Sequence, residues 1–277
     1  AVCCHPGLSP VPQAALDDPA TFLEQPIGNG PFQLDEAWQH NQYITCSRFE
    51  DYYGDAPALD GIYYAIHNSP DTAFNEFEAG NLDFAQIPSG RIQQTVDEYG
   101  ESDDGYTVAP GKQVLTGSQV STYFIVLNTQ DELLSNVDIR HAISLAINRQ
   151  NIVDSLFEGT REVADTIFPR AIDDDEEDLW EYSTYDPERA GRILDEAGYP
   201  LGDDGTRGLS VTLSYDTGRG HEDIMSSIQA DLQEIGIEVA QDTAEWAVHL
   251  TKMREGSFQM GRSGWTADYP TMDKFLS

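Results

Sequence analysis

An α/β fold of mixed sheets flanked by helices, divided between two lobes, is what the sequence predicts. Three observations carry it. Short β-rich stretches alternate with amphipathic helices, an order that excludes all-helical and all-β architectures. One strand–helix–strand unit, spanning 209–239, is legible from end to end. The chain has 277 residues, beyond the roughly 250 at which single cores stop growing, so two domains are expected.

Element by element, residues 1–31 carry six prolines and close on GNG at 28–30, which reads as extended chain and turns. YITCSRF (43–49) and IYYAI (62–66) read as strands separated by a Gly/Pro/Asp-rich connection. Two short helices are expected next: one around Phe74 and Phe77 ending at Gly80, the other starting from Ser89 as N-cap and stopping at Gly100. Between them LDFAQIP (82–88) has a strand-like core. TYFIVL (122–127) is strand-sized. A single helix is expected over 137–157, where Ile139, Ala142, Ile143, Ala146, Ile147, Val153 and Leu156 recur at three- and four-residue intervals. Asp186 as cap, Pro187 at the first helical position and Gly198 as stop frame another helix. The alternating LSVTLSY (209–215), a helix over 222–235 and the short strand 237–239 then form the strand–helix–strand unit.

Composition excludes several partners. The sequence has 49 Asp and Glu against 15 Lys and Arg, a formal charge of −34. With three lysines, Lys112, Lys252 and Lys274, the surface repels phosphate backbones and anionic headgroups, so no nucleic acid is expected. The charge serves solubility, or it attracts cationic ligands over long range. The second reading requires an on-rate that falls with salt. No apolar run approaches the roughly 20 residues of a membrane span, and no basic and apolar leader opens the chain. Thirteen Tyr, 11 Phe and 4 Trp provide enough apolar area for a folded core.

Templates for chemistry are missing. GxSxG, P-loop, HExxH and GxGxxG do not occur, and the six histidines include no i, i+4 pair, so neither a metal nor a cofactor is expected. Nothing selects two carboxylates of the 49 as a glycosidase pair. The acidic run at 173–178 lacks the pattern of a calcium loop and reads as solvated. Cys3 and Cys4 lack CxxC spacing; Cys46 is compatible with a bridge to one of them or with a free thiol.

Seven segments in register, PIGNGPF (26–32), YYGDAPALDGI (52–62), FEAGNLDFAQIP (77–88), YFIVLNTQ (123–130), NVDIRHAISLAINRQNIV (136–153), YDPERAGRILDEAGY (185–199) and GWTADYP (264–270), resemble the solute-binding proteins of peptide ABC importers, the oligopeptide- and dipeptide-binding family 5. The resemblance implies a partial, two-lobed fold of the type II periplasmic-binding-protein kind. Residues 1–116 would be the middle of the first large lobe, 117–277 most of the second, and 116–121 a hinge. Family members are longer at both ends and carry an export or lipoprotein signal, so the chain is expected to be a fragment. The implied function is extracytoplasmic capture of oligopeptides for delivery to a membrane permease, by a monomer without chemistry of its own. The alternatives are a receptor of the same family for an oligosaccharide, nickel or another small solute and, from another class, a cell-surface hydrolase.

The resemblance also implies a site. Asp268 would hold the ligand's ammonium; the competing role is a turn aspartate that caps a helix before Pro270. Residues 262–264 would offer backbone pairing, including Gly264, with Trp265 as cleft wall. Arg262 and His221 would meet a peptide carboxylate, or serve only structure. Trp246 would pack on ligand side chains, or in the core.

Overall fold

The computed structural model describes residues 11–117, 119–172, 180–218 and 220–276. Cys3, Cys4 and the acidic run 173–178 lie outside the described residues. Two compact units divide between Ala73 and Phe74.

The first unit is built on an antiparallel sheet of β1 (Phe32–Leu34), β2 (Tyr43–Arg48) and β3 (Gly61–Ala65) in that order. Gly61 lies where a Cβ would meet the Cys46 carbonyl at 2.7 Å, so the close approach of β3 to β2 requires glycine there. Cys46 is a free, half-buried thiol, pushed up in pKa by its burial. The proline-rich start corrects the reading of extended chain: it contains α1 (Gln13–Asp17) and α2 (Pro19–Glu24). Pro19 sits at the first turn of α2, where no N–H is needed, and Asp18 accepts from the Thr21 N–H at 3.2 Å. Helix α3 (Pro70–Glu78) spans the division.

In the second unit α4 (Ile92–Tyr99) follows, but Ser89 is not its cap. The Gln93 N–H instead donates to Glu158 at 2.5 Å, a partner 65 residues away that no local pattern reveals. Residues 82–88 form no strand, and Phe84 is largely exposed. The sheet of this unit comprises β4 (Ser121–Leu127), β5 (Leu209–Asp216), β6 (Ile237–Ala244) and β7 (Met260–Thr266), in the order β4-β7-β5-β6. β5 and β6 are parallel and connected by α8 (Glu222–Glu234), as the sequence predicts. β6 extends five residues past the expected end, because it pairs with β5 over the full length while its outer residues turn polar and lose the strand signature.

The long helix expected at 137–157 is two, α5 (Val137–Ala146) and α6 (Arg149–Phe157). Ile147 is extended, and the Asn148 side chain accepts from the Asn151 N–H at 3.0 Å to begin the second helix. Arg149 holds the break: its guanidinium donates to the Ser144 and Ile147 carbonyls at 2.9 and 3.3 Å and to Ser144 Oγ at 2.8 Å. Both helices send apolar residues to one core, so the periodicity passes through the break unaltered. Helix α7 (Pro187–Glu196) has the predicted cap, Asp186 accepting from the Arg189 N–H at 2.8 Å. The core is closed by Leu134, Ile143, Leu145, Leu194, Leu213, Met225, Leu232, Ile237 and Met260, all fully buried or nearly so. Helix α9 (Trp246–Glu255), against β5 and β6, and α10 (Asp273–Leu276) complete the unit.

Among the described residues five aspartates are held below their ordinary pKa: Asp18 by Thr21, Asp104 by Thr107, Asp204 by Thr206, Asp242 by Lys252 and Asp273 by Thr271. Their ionised forms are favoured by folding, so the stability they contribute is present above the ordinary value of 3.8 and is lost as pH falls through the depressed values. Calorimetric melting is therefore expected to show the midpoint falling as pH drops below 3.8; a flat profile there would sink this assignment.

Candidate functional site

Strand β7 and the residues just beyond it gather most of the predicted site. β7 pairs with β4 along its whole length, from Met260 opposite Leu127 to Thr266 opposite Ser121. On the other side it pairs with β5 only at Met260 and Gly261. Among the described residues no strand continues that pairing. Alternation along an antiparallel ladder decides which groups face this open side. Gln259 O accepts from Asn128 N and Ala267 N donates to Val120 O, so odd-numbered residues face the β4 side. The carbonyl of Arg262 points the other way, to His249 Nε2 at 2.9 Å. Gly264 and Thr266 therefore direct their N–H and C=O toward the open side. A Cβ on Gly264 would lie 3.3 Å from the Thr122 carbonyl, so glycine also lets the backbone approach closely.

Past the end of β7, Asp268 forms an ion pair with Lys274, Oδ2 to Nζ 2.7 Å, with one third of the Asp268 side chain exposed. The ammonium lies 5.7 Å from the Trp265 ring centre and 5.6 Å from that of Tyr269. Asp268 raises the pKa of Lys274. A positive group held by one carboxylate and flanked by two aromatic rings is the chemistry of an ammonium seat.

A second cluster surrounds Asp216, which is fully buried at the end of β5. Arg262 Nη1 donates to Asp216 Oδ1 at 3.2 Å, and His221 Nε2 lies 3.7 Å from the same oxygen. The Tyr123 hydroxyl lies 3.4 Å from His221 Nδ1, and the Arg262 guanidinium sits 5.0 Å from the Tyr123 ring centre. Burial pushes the Tyr123 phenol up to about 12, against the opposing pull of Arg262. Arg262 is thus matched inside the protein by Asp216.

The structure places Trp265, Asp268 and Gly264 together at one end of β7, and Arg262 and His221 together around Asp216. Trp246 stands at the start of α9, 39% exposed, and is not a core residue. It reaches the cluster through His249, ring to ring at 6.2 Å. Sequence reasoning missed Asp216, Tyr123 and Lys274. Asp216 ends the alternating run LSVTLSY as its first charged residue, a visible signal; for Lys274, six residues past Asp268, there was none. Among the described residues no group of three or more His, Cys, Asp or Glu is placed to hold a metal ion, and no helix is long and apolar enough to cross a membrane.

Likeness to solved structures places the two sheets and their flanking helices in a partial fold of the type II periplasmic-binding-protein class. A periplasmic oligopeptide-binding protein from Borrelia burgdorferi superposes with a TM-score of 0.80 at 25% identity, over 97% of this chain and 51% of that one. The family model for bacterial extracellular solute-binding proteins, family 5, middle part, matches residues 5–277, and the chain belongs to that family. It is 28% identical to the oligopeptide-binding protein OppA of Bacillus subtilis, over 90% of this chain and 45% of that protein. It is 29% identical to the nickel-binding periplasmic protein of Escherichia coli, over 89% of this chain and 47% of that protein. The chain spans about half the length of these curated relatives.

Proposed function

We propose that the protein to which this chain belongs is an extracytoplasmic receptor that binds oligopeptides and passes them to the permease of an ABC importer. The observation that carries the reading is the adjacency of Asp268 to the open side of β7. An enclosed peptide must satisfy its own N–H and C=O groups, and a strand edge does this without reading side chains. Its leading ammonium needs a carboxylate, since an unpaired charge out of water is costly. Gly264, Thr266 and Asp268 supply both requirements within five residues, Trp265 walls the approach, and Trp246 and the Arg262–His221 cluster lie farther along for side chains or a terminal carboxylate. By the family resemblance, residues 1–116 and 117–277 are assigned to the two large lobes, with closure about 116–121, a boundary that differs from the division of the compact units between Ala73 and Phe74.

A receptor for another small solute is the rival, and the nickel-binding relative supports it. Mass spectrometry of ligands that co-purify with the full-length protein separates the two: short peptides are expected. A metal complex or sugar in their place, with peptides silent in thermal-shift assays, would overturn the reading. Residues 1–277 alone are expected to bind peptides only weakly, because they span about half the length of the curated relatives. Micromolar affinity of this piece for trialanine by calorimetry would contradict that.

A further inference from the structure

We propose that Lys274 is an internal competitor for the ammonium seat, a specificity-determining residue that fills the position until a ligand's amine displaces it. This rests on the reading of Asp268 as that seat. Lys112 and Lys252 also pair with aspartates, Asp103 and Asp242. Among the described residues, Lys274 alone of the lysines also lies over aromatic rings, those of Trp265 and Tyr269. Its ammonium thus meets the carboxylate and the two ring faces that a peptide's leading amine would require.

The arrangement is built to be reversible. Lys274 sits on α10, a helix of four residues without a buried member, and Leu276 beside it is 72% exposed. Its stem is flexible and its charge can retreat to water. The pair is partly exposed, Asp268 by one third and Lys274 by 17%, and an ion pair that water still reaches shifts an equilibrium by up to about fivefold. An amine ligand therefore exchanges one ammonium for another, and its apparent affinity falls by the fraction of time the seat is occupied. A ligand whose amine is acylated does not contest the position. Lys274 accordingly weakens binding of free amines and leaves capped peptides unaffected. In a chain with 49 carboxylates, an internal counter-ion also keeps Asp268 from retaining adventitious cations.

The test uses the full-length protein, calorimetry with trialanine and N-acetyl-trialanine, and the variants K274M and D268N. K274M keeps the stem and removes the charge. It is expected to bind trialanine about two- to fivefold more tightly and N-acetyl-trialanine as the parent does. A second readout needs no peptide: acetylation of Lys274 by an amine-reactive ester, mapped by mass spectrometry, should rise in D268N over the parent. Equal labelling in the two proteins overturns the competition. So does trialanine binding that is unchanged or weaker in K274M, and if D268N still loses trialanine the seat itself survives that result. Should D268N bind trialanine like the parent, the seat fails and the competition with it.

Discussion

In the full-length protein, Asp268→Asn is expected to weaken trialanine binding by about 10- to 100-fold while changing N-acetyl-trialanine binding little. Asparagine preserves shape and one acceptor oxygen but removes the charge that an ammonium requires. Hydrogen bonds to charged groups are worth about 1.5–3 kcal/mol, which sets that range. Asp268 is one third exposed, so the effect belongs in this range rather than at the extreme values of fully buried pairs. Lys274 moderates it, since the variant also releases the competing ammonium. Calorimetry at two salt concentrations checks the electrostatic origin: the salt dependence seen with the parent should shrink in the variant. Equal affinities for both peptides in both proteins would remove the amine seat from this reading, and with it the argument for peptides over other solutes.

The second large effect is on stability. Asp216→Ala is expected to cost about 3–5 kcal/mol, because it leaves Arg262, whose side chain is 13% exposed, without the carboxylate that receives it. Denaturant titration measures this directly, and a fall in melting temperature of roughly 6–20 °C corresponds to it for a unit of this size. The double variant Asp216→Ala/Arg262→Met tests the cause. If an unmatched charge is responsible, the double variant is more stable than Asp216→Ala alone. Were the double variant less stable, packing around Asp216 rather than charge would be the source. The same pair limits the role of Arg262 toward ligands, since a peptide carboxylate near it must share a guanidinium already engaged by Asp216.

Local chemistry was legible where it acts within a few residues. The cap at Asp186, the strand–helix–strand unit from β5 to β6 and the stripe on α8 follow from side chains that meet at fixed helical or strand spacing. The helices among the first prolines were hidden, because Pro19 starts a helix as readily as it breaks one. The break after Ala146 was hidden as well, since both helices feed one core and the apolar rhythm never falters.

By itself the sequence determined the fold class, the acidic character of the chain and, through its resemblance to a family, the choice of Asp268 as a candidate. Only the tertiary structure decided that Asp216 receives Arg262 beside His221, that β7 parts from β5 after Gly261 to leave one side open, and that Lys274 stands over Trp265 and Tyr269. The reason is physical: charges and strand edges find their partners through space, and the chain that brings them together here runs 46 residues between Asp216 and Arg262.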